Sequence, residues 1–125
     1  MATKNIFIRP GVTKSLSFVW YTVDPDTKVK TPVNLTTYTA KMQFRKAPGD
    51  PVLMELSTSA TVIGTTTSAA SITLGATGEI NITIPASVTA QYTTEKSFYD
   101  LLLYNGADVY EFMEGAVALK YGITT

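Results

Sequence analysis

The sequence predicts an all-β protein: a single β-sandwich spanning residues 1–125, immunoglobulin-like or jelly-roll, with about seven to nine short strands and at most one short helix. Three observations carry that expectation. Apolar and polar residues alternate in segment after segment, the period of a half-buried strand. Gly, Pro, Asn and Asp interrupt those segments at close intervals, as turns do. Threonine, a β-branched residue suited to the solvated faces of strands, occupies 21 of 125 positions.

The elements follow in order. Ile6-Phe7-Ile8 is a short strand closed by Pro10-Gly11, and Leu16, Phe18 and Trp20 alternate with Ser15, Ser17 and Val19 in the next. Trp20, alternating with two core-type residues, is expected between the two sheets. Asp24-Pro25-Asp26 breaks that strand, and a polar loop runs through Lys28 and Lys30 to Pro32. Tyr38, Ala40, Met42 and Phe44 form one face of a strand whose other face is Thr39, Lys41, Gln43 and Arg45. After the Pro48-Gly49-Asp50-Pro51 turn, Val52, Met54 and Leu56 resume the alternation. Residues 57–71 are rich in Ser, Thr and Ala and read as a loop with a short strand at Thr61-Val62-Ile63.

Ser71–Leu74 and Glu79–Ile84 flank the Gly75-Ala76-Thr77-Gly78 turn as a hairpin, and Pro85 ends it. Residues 85–93 suit one or two helical turns with Pro85 or Ala86 at the start. The last hairpin is the strongest local signal: SFYDLLLYNGADVYEFME, two alternating strands around Asn105-Gly106. A type I′ turn on that dipeptide would pair Leu103 with Asp108, Leu101 with Tyr110 and Tyr99 with Phe112, and that mostly large, apolar face is expected in the core. Gly115 is the expected bulge before a final strand at Ala116–Lys120.

Composition excludes several chemistries. The chain has no cysteine and no histidine, which removes disulfides, thiolate nucleophiles, histidine bases and the usual zinc ligands. No signal peptide is evident in Met-Ala-Thr-Lys-Asn, and no apolar run approaches the ~20 residues that span a bilayer. The ten basic and ten acidic residues cancel, so neither nucleic acid nor a membrane is an expected partner. Charge is nonetheless polarised along the chain. Residues 1–46 carry eight basic and two acidic side chains, and residues 47–125 carry two and eight. Opposite charges are expected to meet across strands or between neighbouring subunits.

The remaining chemical signals are weak. Asp100 and Glu111 fall opposite each other in the expected register, but paired carboxylates alone do not make a glycosidase. Asp24-Pro25-Asp26 lacks the rest of a calcium loop. Tyr21, Tyr92 and Tyr104 would serve as stacking platforms if the module bound carbohydrate. No enzyme, cofactor or metal is expected.

Four segments together carry a resemblance: Trp20 ending an early strand; Pro32-Val33-Asn34-Leu35-Thr36-Thr37-Tyr38-Thr39-Ala40 with Arg45; Gly78-Glu79-Ile80-Asn81-Ile82-Thr83-Ile84-Pro85; and Tyr99-Asp100-Leu101 with Gly115. In this order they resemble small virion structural proteins of tailed phages and prophages, including the immunoglobulin-like N-terminal domain of baseplate upper proteins. The resemblance implies a virion protein assembled in the host bacterial cytoplasm, partnered by other virion proteins and by copies of itself. Tail, baseplate or fibre association is the expectation, with capsid decoration and a carbohydrate-binding module as alternatives. With no fibre or receptor-binding domain after Thr125, an adaptor role is expected. The expected assembly face is the outer side of the last hairpin: Phe98, Asp100, Leu102, Tyr104, Val109, Glu111 and Met113.

Overall fold

The computed structural model describes residues 2–120; residue 1 and residues 121–125 of the expected domain lie outside the described residues. Period-2 alternation produces strands throughout: β1 (Ala2–Thr3), β2 (Ile6–Ile8), β3 (Lys14–Val19), β4 (Tyr21–Val23), β5 (Lys30–Pro32), β6 (Thr39–Arg45) and β7 (Val52–Ser57). β8 (Thr61–Ile63), β9 (Thr66–Ser68), β10 (Ile72–Leu74) and β11 (Glu79–Ile84) follow. The helical turn α1 (Ala86–Thr89), then β12 (Lys96–Asn105) and β13 (Asp108–Leu119), complete the described chain. The thirteen strands among the described residues exceed the seven to nine expected. The excess has local causes: an additional two-residue strand precedes the expected first one, the polar loop after Trp20 pairs with itself as β4–β5, and residues 57–71 form the hairpin β8–β9 rather than a loop with one strand.

The strands form two facing sheets and a ribbon. The large sheet has the order β1-β13-β12-β6-β7-β8-β9, with β2 also on β13; the small sheet is β10-β11-β3, and β4–β5 stands apart. With β3, β6, β7, β8, β10, β11, β12 and β13 in the places of B, C, C′, C″, D, E, F and G, this is the variable-type immunoglobulin sandwich and not a jelly roll. The N-terminal strands run parallel to β13 and cover its edge.

The core lies between the sheets because each strand turns one apolar row inward. Ala40, Met42 and Phe44 of β6, Met54 and Leu56 of β7, and Tyr99, Leu101 and Leu103 of β12 are buried. They meet Ile72, Ile80, Ile82, Ile84 and Leu16 of the small sheet. α1 closes one end: its Val88, and Tyr92 just past its C-terminus, both enter the core. Buried Thr89 accepts from the Gly11 N–H (3.1 Å) and donates to the Val12 carbonyl (3.0 Å), tying the β2–β3 connection to the helix.

The last hairpin departs from its expected register. Asn105 pairs with Asp108, Leu103 with Tyr110 and Leu102 with Glu111. The turn is therefore centred on Gly106-Ala107, and of its residues Gly106 alone has positive φ, +61°. Glycine at the first central position is the type II′ arrangement. A bulge then leaves Phe112 without a partner, so Leu101 faces Met113, Asp100 faces Glu114 and Tyr99 faces Gly115. Gly115 is thus not the bulge. Its role is close approach: a side chain there would strike the Lys4 carbonyl of the N-terminal segment.

Candidate functional site

The outer side of the large sheet is the surface that the expected assembly residues share, and the bulge decides which of them reach it. Pairing places Phe98, Asp100, Leu102 and Tyr104 of β12 on that side, beside Lys41, Gln43 and Arg45 of β6. Val109 and Glu111 of β13 join them above the bulge, opposite Tyr104 and Leu102. Phe98 is 49% and Val109 55% exposed, while Leu102 and Tyr104 are half-buried. Met113 does not belong there. The extra residue at Phe112 turns it inward opposite Leu101, and it is buried. For the same reason Glu111 stands across from Leu102, and the acid facing Asp100 is Glu114.

Neither residues 85–93 nor residues 57–71 cover this face. Residues 85–93 insert Val88 and Tyr92 into the sandwich, and residues 57–71 extend the large sheet as β8–β9. Six of the seven expected residues are therefore brought together at an open surface of mixed character. Lys41 Nζ sits 5.9 Å from the Tyr104 ring centre, a cation–π contact within the face.

One end of this surface deepens into a groove of about 470 Å³. Phe98, Asp100, Glu114 and Ala116 form its floor, Gln43, Arg45 and Pro48 one wall, and Thr3 and Asn5 the other. Asn5 is fixed by accepting from the Ala116 N–H (3.0 Å), and the Lys4 N–H donates to the Glu114 carbonyl (2.9 Å). Sequence reasoning missed this groove, because its second wall is the N-terminal segment, 95 residues from Tyr99, whose hydroxyl donates to the Lys4 carbonyl at 2.6 Å. The signal available was Gly115, a glycine inside a strand, which marks close backbone approach as readily as a bulge.

Tyr21, Tyr92 and Tyr104 do not share one surface. Tyr92 is 2% exposed, correcting its expected surface position. It packs edge-on to Phe44 with centroids 5.8 Å apart, and its hydroxyl is hydrogen-bonded to Ser97. Burial raises its pKa, and the Ser97 hydrogen bond partly offsets that. Tyr21 lies on the β4–β5 ribbon under Lys30, and Tyr104 on the outer face of the large sheet. Trp20 is half-buried at the rim rather than central. It meets Tyr38, Tyr110 and Phe112 with centroids 5.9, 5.4 and 6.0 Å away. Tyr110, expected in the core, is 38% exposed on that rim.

The acidic motif near residue 24 is a turn. Asp24 Oδ1 accepts from the backbone N–H of Asp26 (2.8 Å) and Thr27 (3.2 Å), and those bonds, the Asp26 bond first, lower its pKa. Among the described residues no group of three potential metal-ligating side chains is gathered.

No protein-family model and no curated protein matches the chain. Among solved structures it is similar to the extracellular domain of the voltage-gated sodium channel β4 subunit, described as forming parallel homodimers in cell–cell adhesion. That likeness has a TM-score of 0.42 and 12% identity over 97% of this chain and 92% of the other. At that level it carries no argument about partners or activity.

Proposed function

We propose that this chain is a structural protein of a bacteriophage virion: an adaptor module associated with the tail, baseplate or fibre, assembled in the host cytoplasm through its sandwich surfaces. The observation that carries the reading is the outer face of the large sheet. Phe98 and Val109 are about half exposed there, on the same face as Leu102 and Tyr104, and residues 57–71 and 85–93 are engaged elsewhere. Exposed apolar side chains grouped on one sheet face support a contact with another protein, and the sequence resemblance supplies the setting. Neighbours are other virion proteins and further copies of this chain.

The test is the composition of purified particles. Mass spectrometry of gradient-purified virions is expected to find the chain at a fixed copy number. Antibody labelling is expected on tails, whereas labelling of heads would favour capsid decoration. A chain confined to the lysate supernatant would refute the reading.

A further inference from the structure

The small sheet ends in a strand edge that has no partner among the described residues. β3 lies at one end of the order β10-β11-β3, and the N-terminal strands that precede it pair with β13 of the large sheet instead. Two hydrogen bonds fix which backbone groups face outward. The Trp20 N–H donates to the Gly78 carbonyl (2.9 Å), continuing the β3–β11 ladder, and the Thr83 N–H donates to the Ser71 carbonyl (2.8 Å), away from β3. Ladder bonds alternate along an antiparallel pair. Leu16 and Phe18 therefore bond to Ile82 and Ile80, while the N–H and C=O of Ser15, Ser17 and Val19 point off the sheet.

This edge lacks the devices that keep sheet edges from pairing. The other outer strands, β1, β2, β9 and β10, are two or three residues long. β3 has six residues, runs against β11 without a register shift, and contains no proline and one charge, Lys14 at its start.

We propose that β3 pairs antiparallel with β3 of a second copy of this chain, about a two-fold axis at Ser17, so that the two small sheets become one. The occupant is a second copy because the edge is complementary to itself, as a two-fold contact requires. With Ser17 on the axis, Ser15 meets the partner's Val19 and Leu16 meets the partner's Phe18. The inward row then runs from Ile82 and Leu16 to the partner's Phe18 and Ile80, apolar throughout, and half-buried Phe18 is covered. On the outward, exposed side Ser17 faces its own copy, with Asn81 accepting from each Ser17 hydroxyl (2.9 Å). No charged residue of β3 meets itself. Lys14 falls opposite the partner's Trp20, an aromatic face suited to a cation.

The pairing uses a surface other than the outer face of the large sheet and does not rest on the virion reading. Analytical ultracentrifugation of the isolated protein tests it. The expected result is a reversible monomer–dimer equilibrium, with the Ser15, Ser17 and Val19 amides protected from hydrogen exchange in the dimer alone. Ser17→Pro removes the outward N–H at the axis and spares the β11 ladder. It should weaken association about thirtyfold, the loss of two hydrogen bonds. Ser17→Lys, at an exposed position, should weaken it about fivefold by setting like charges face to face, and mixing that variant with Ser17→Glu should restore dimers. A chain monomeric up to about 1 mM, a dimer indifferent to Ser17→Pro, or a mixture no better than Ser17→Lys alone would overturn the proposal. So would a dimer broken by Leu102→Glu and not by Ser17→Pro, which would assign self-association to the outer face. A monomer leaves the virion reading to the particle experiment, and absence from particles leaves a dimer through β3 standing.

Discussion

Gly115→Ala probes how the N-terminal segment is held and, with it, the second wall of the groove. The added Cβ would overlap the Lys4 carbonyl, lying 2.6 Å from its carbon and 3.1 Å from the Tyr99 ring. A flexible side chain could move aside, but a paired backbone cannot. If the segment peels away, three bonds go: Lys4 N–H to Glu114 (2.9 Å), Ala116 N–H to Asn5 (3.0 Å) and Tyr99 O–H to Lys4 (2.6 Å). At about 1 kcal/mol net each, that is about 3 kcal/mol. If the segment stays, overpacking costs ~1–3 kcal/mol. The two routes together predict a loss of about 1–3 kcal/mol, a fall in melting temperature of roughly 5–15 °C for a chain this long. Urea unfolding followed by circular dichroism measures it. Hydrogen exchange separates the routes, because peeling removes protection from the Lys4 and Ala116 amides first. Tyr99→Phe, which deletes one of the three bonds, should cost about 1 kcal/mol in the parent and, if the segment has peeled away, almost nothing after Gly115→Ala. A Gly115→Ala variant within about 0.5 kcal/mol of the parent would refute the close-approach argument.

Other substitutions test other parts of the structure. Phe44→Ala, at a fully buried position, should cost ~3–5 kcal/mol by chemical denaturation, whereas Trp20→Ala at the rim should cost less, about 2–3 kcal/mol; equal losses would place Trp20 in the core after all. Leu102→Glu should stay folded with less than about 1.5 kcal/mol lost and fail to enter particles; an unfolded variant would mean the face is core. Burial pushes the Tyr99 phenol up from 10 to about 12, so its contribution is intact below pH 10 and lost as pH rises from 10 toward 12, where the unfolded chain ionises first. Equilibrium stability measured across that range should fall less steeply in Tyr99→Phe, and identical slopes would contradict the burial.

Alternation was enough to read the inward rows of β3, β6, β7, β11 and β12, because one buried face dictates a period of two in each. The short helix at 86–89 was legible from Pro85. What alternation does not encode is an inserted residue. Phe112 is apolar like its neighbours, so nothing marks it as the bulge that sends Met113 inward and puts Glu114 across from Asp100. Asn105-Gly106 marked a turn, but the same dipeptide permits a frame centred one residue later. Residues 21–32 contain too little apolar alternation to announce a ribbon, and their pairing rests on the Asp24 turn with Lys28 at φ +62°. The groove was the least visible feature, since a parallel pairing between the first and last strands leaves no local pattern in either.

The claim on which the account depends is that the outer face of the large sheet is an assembly surface in a virion. A reconstruction of intact particles at a resolution that places side chains tests it most directly. The account predicts the sandwich in the tail or baseplate with Phe98, Leu102 and Val109 against a neighbouring chain. Density in which this face is open to solvent while the chain attaches through the β4–β5 ribbon or the small sheet would contradict it.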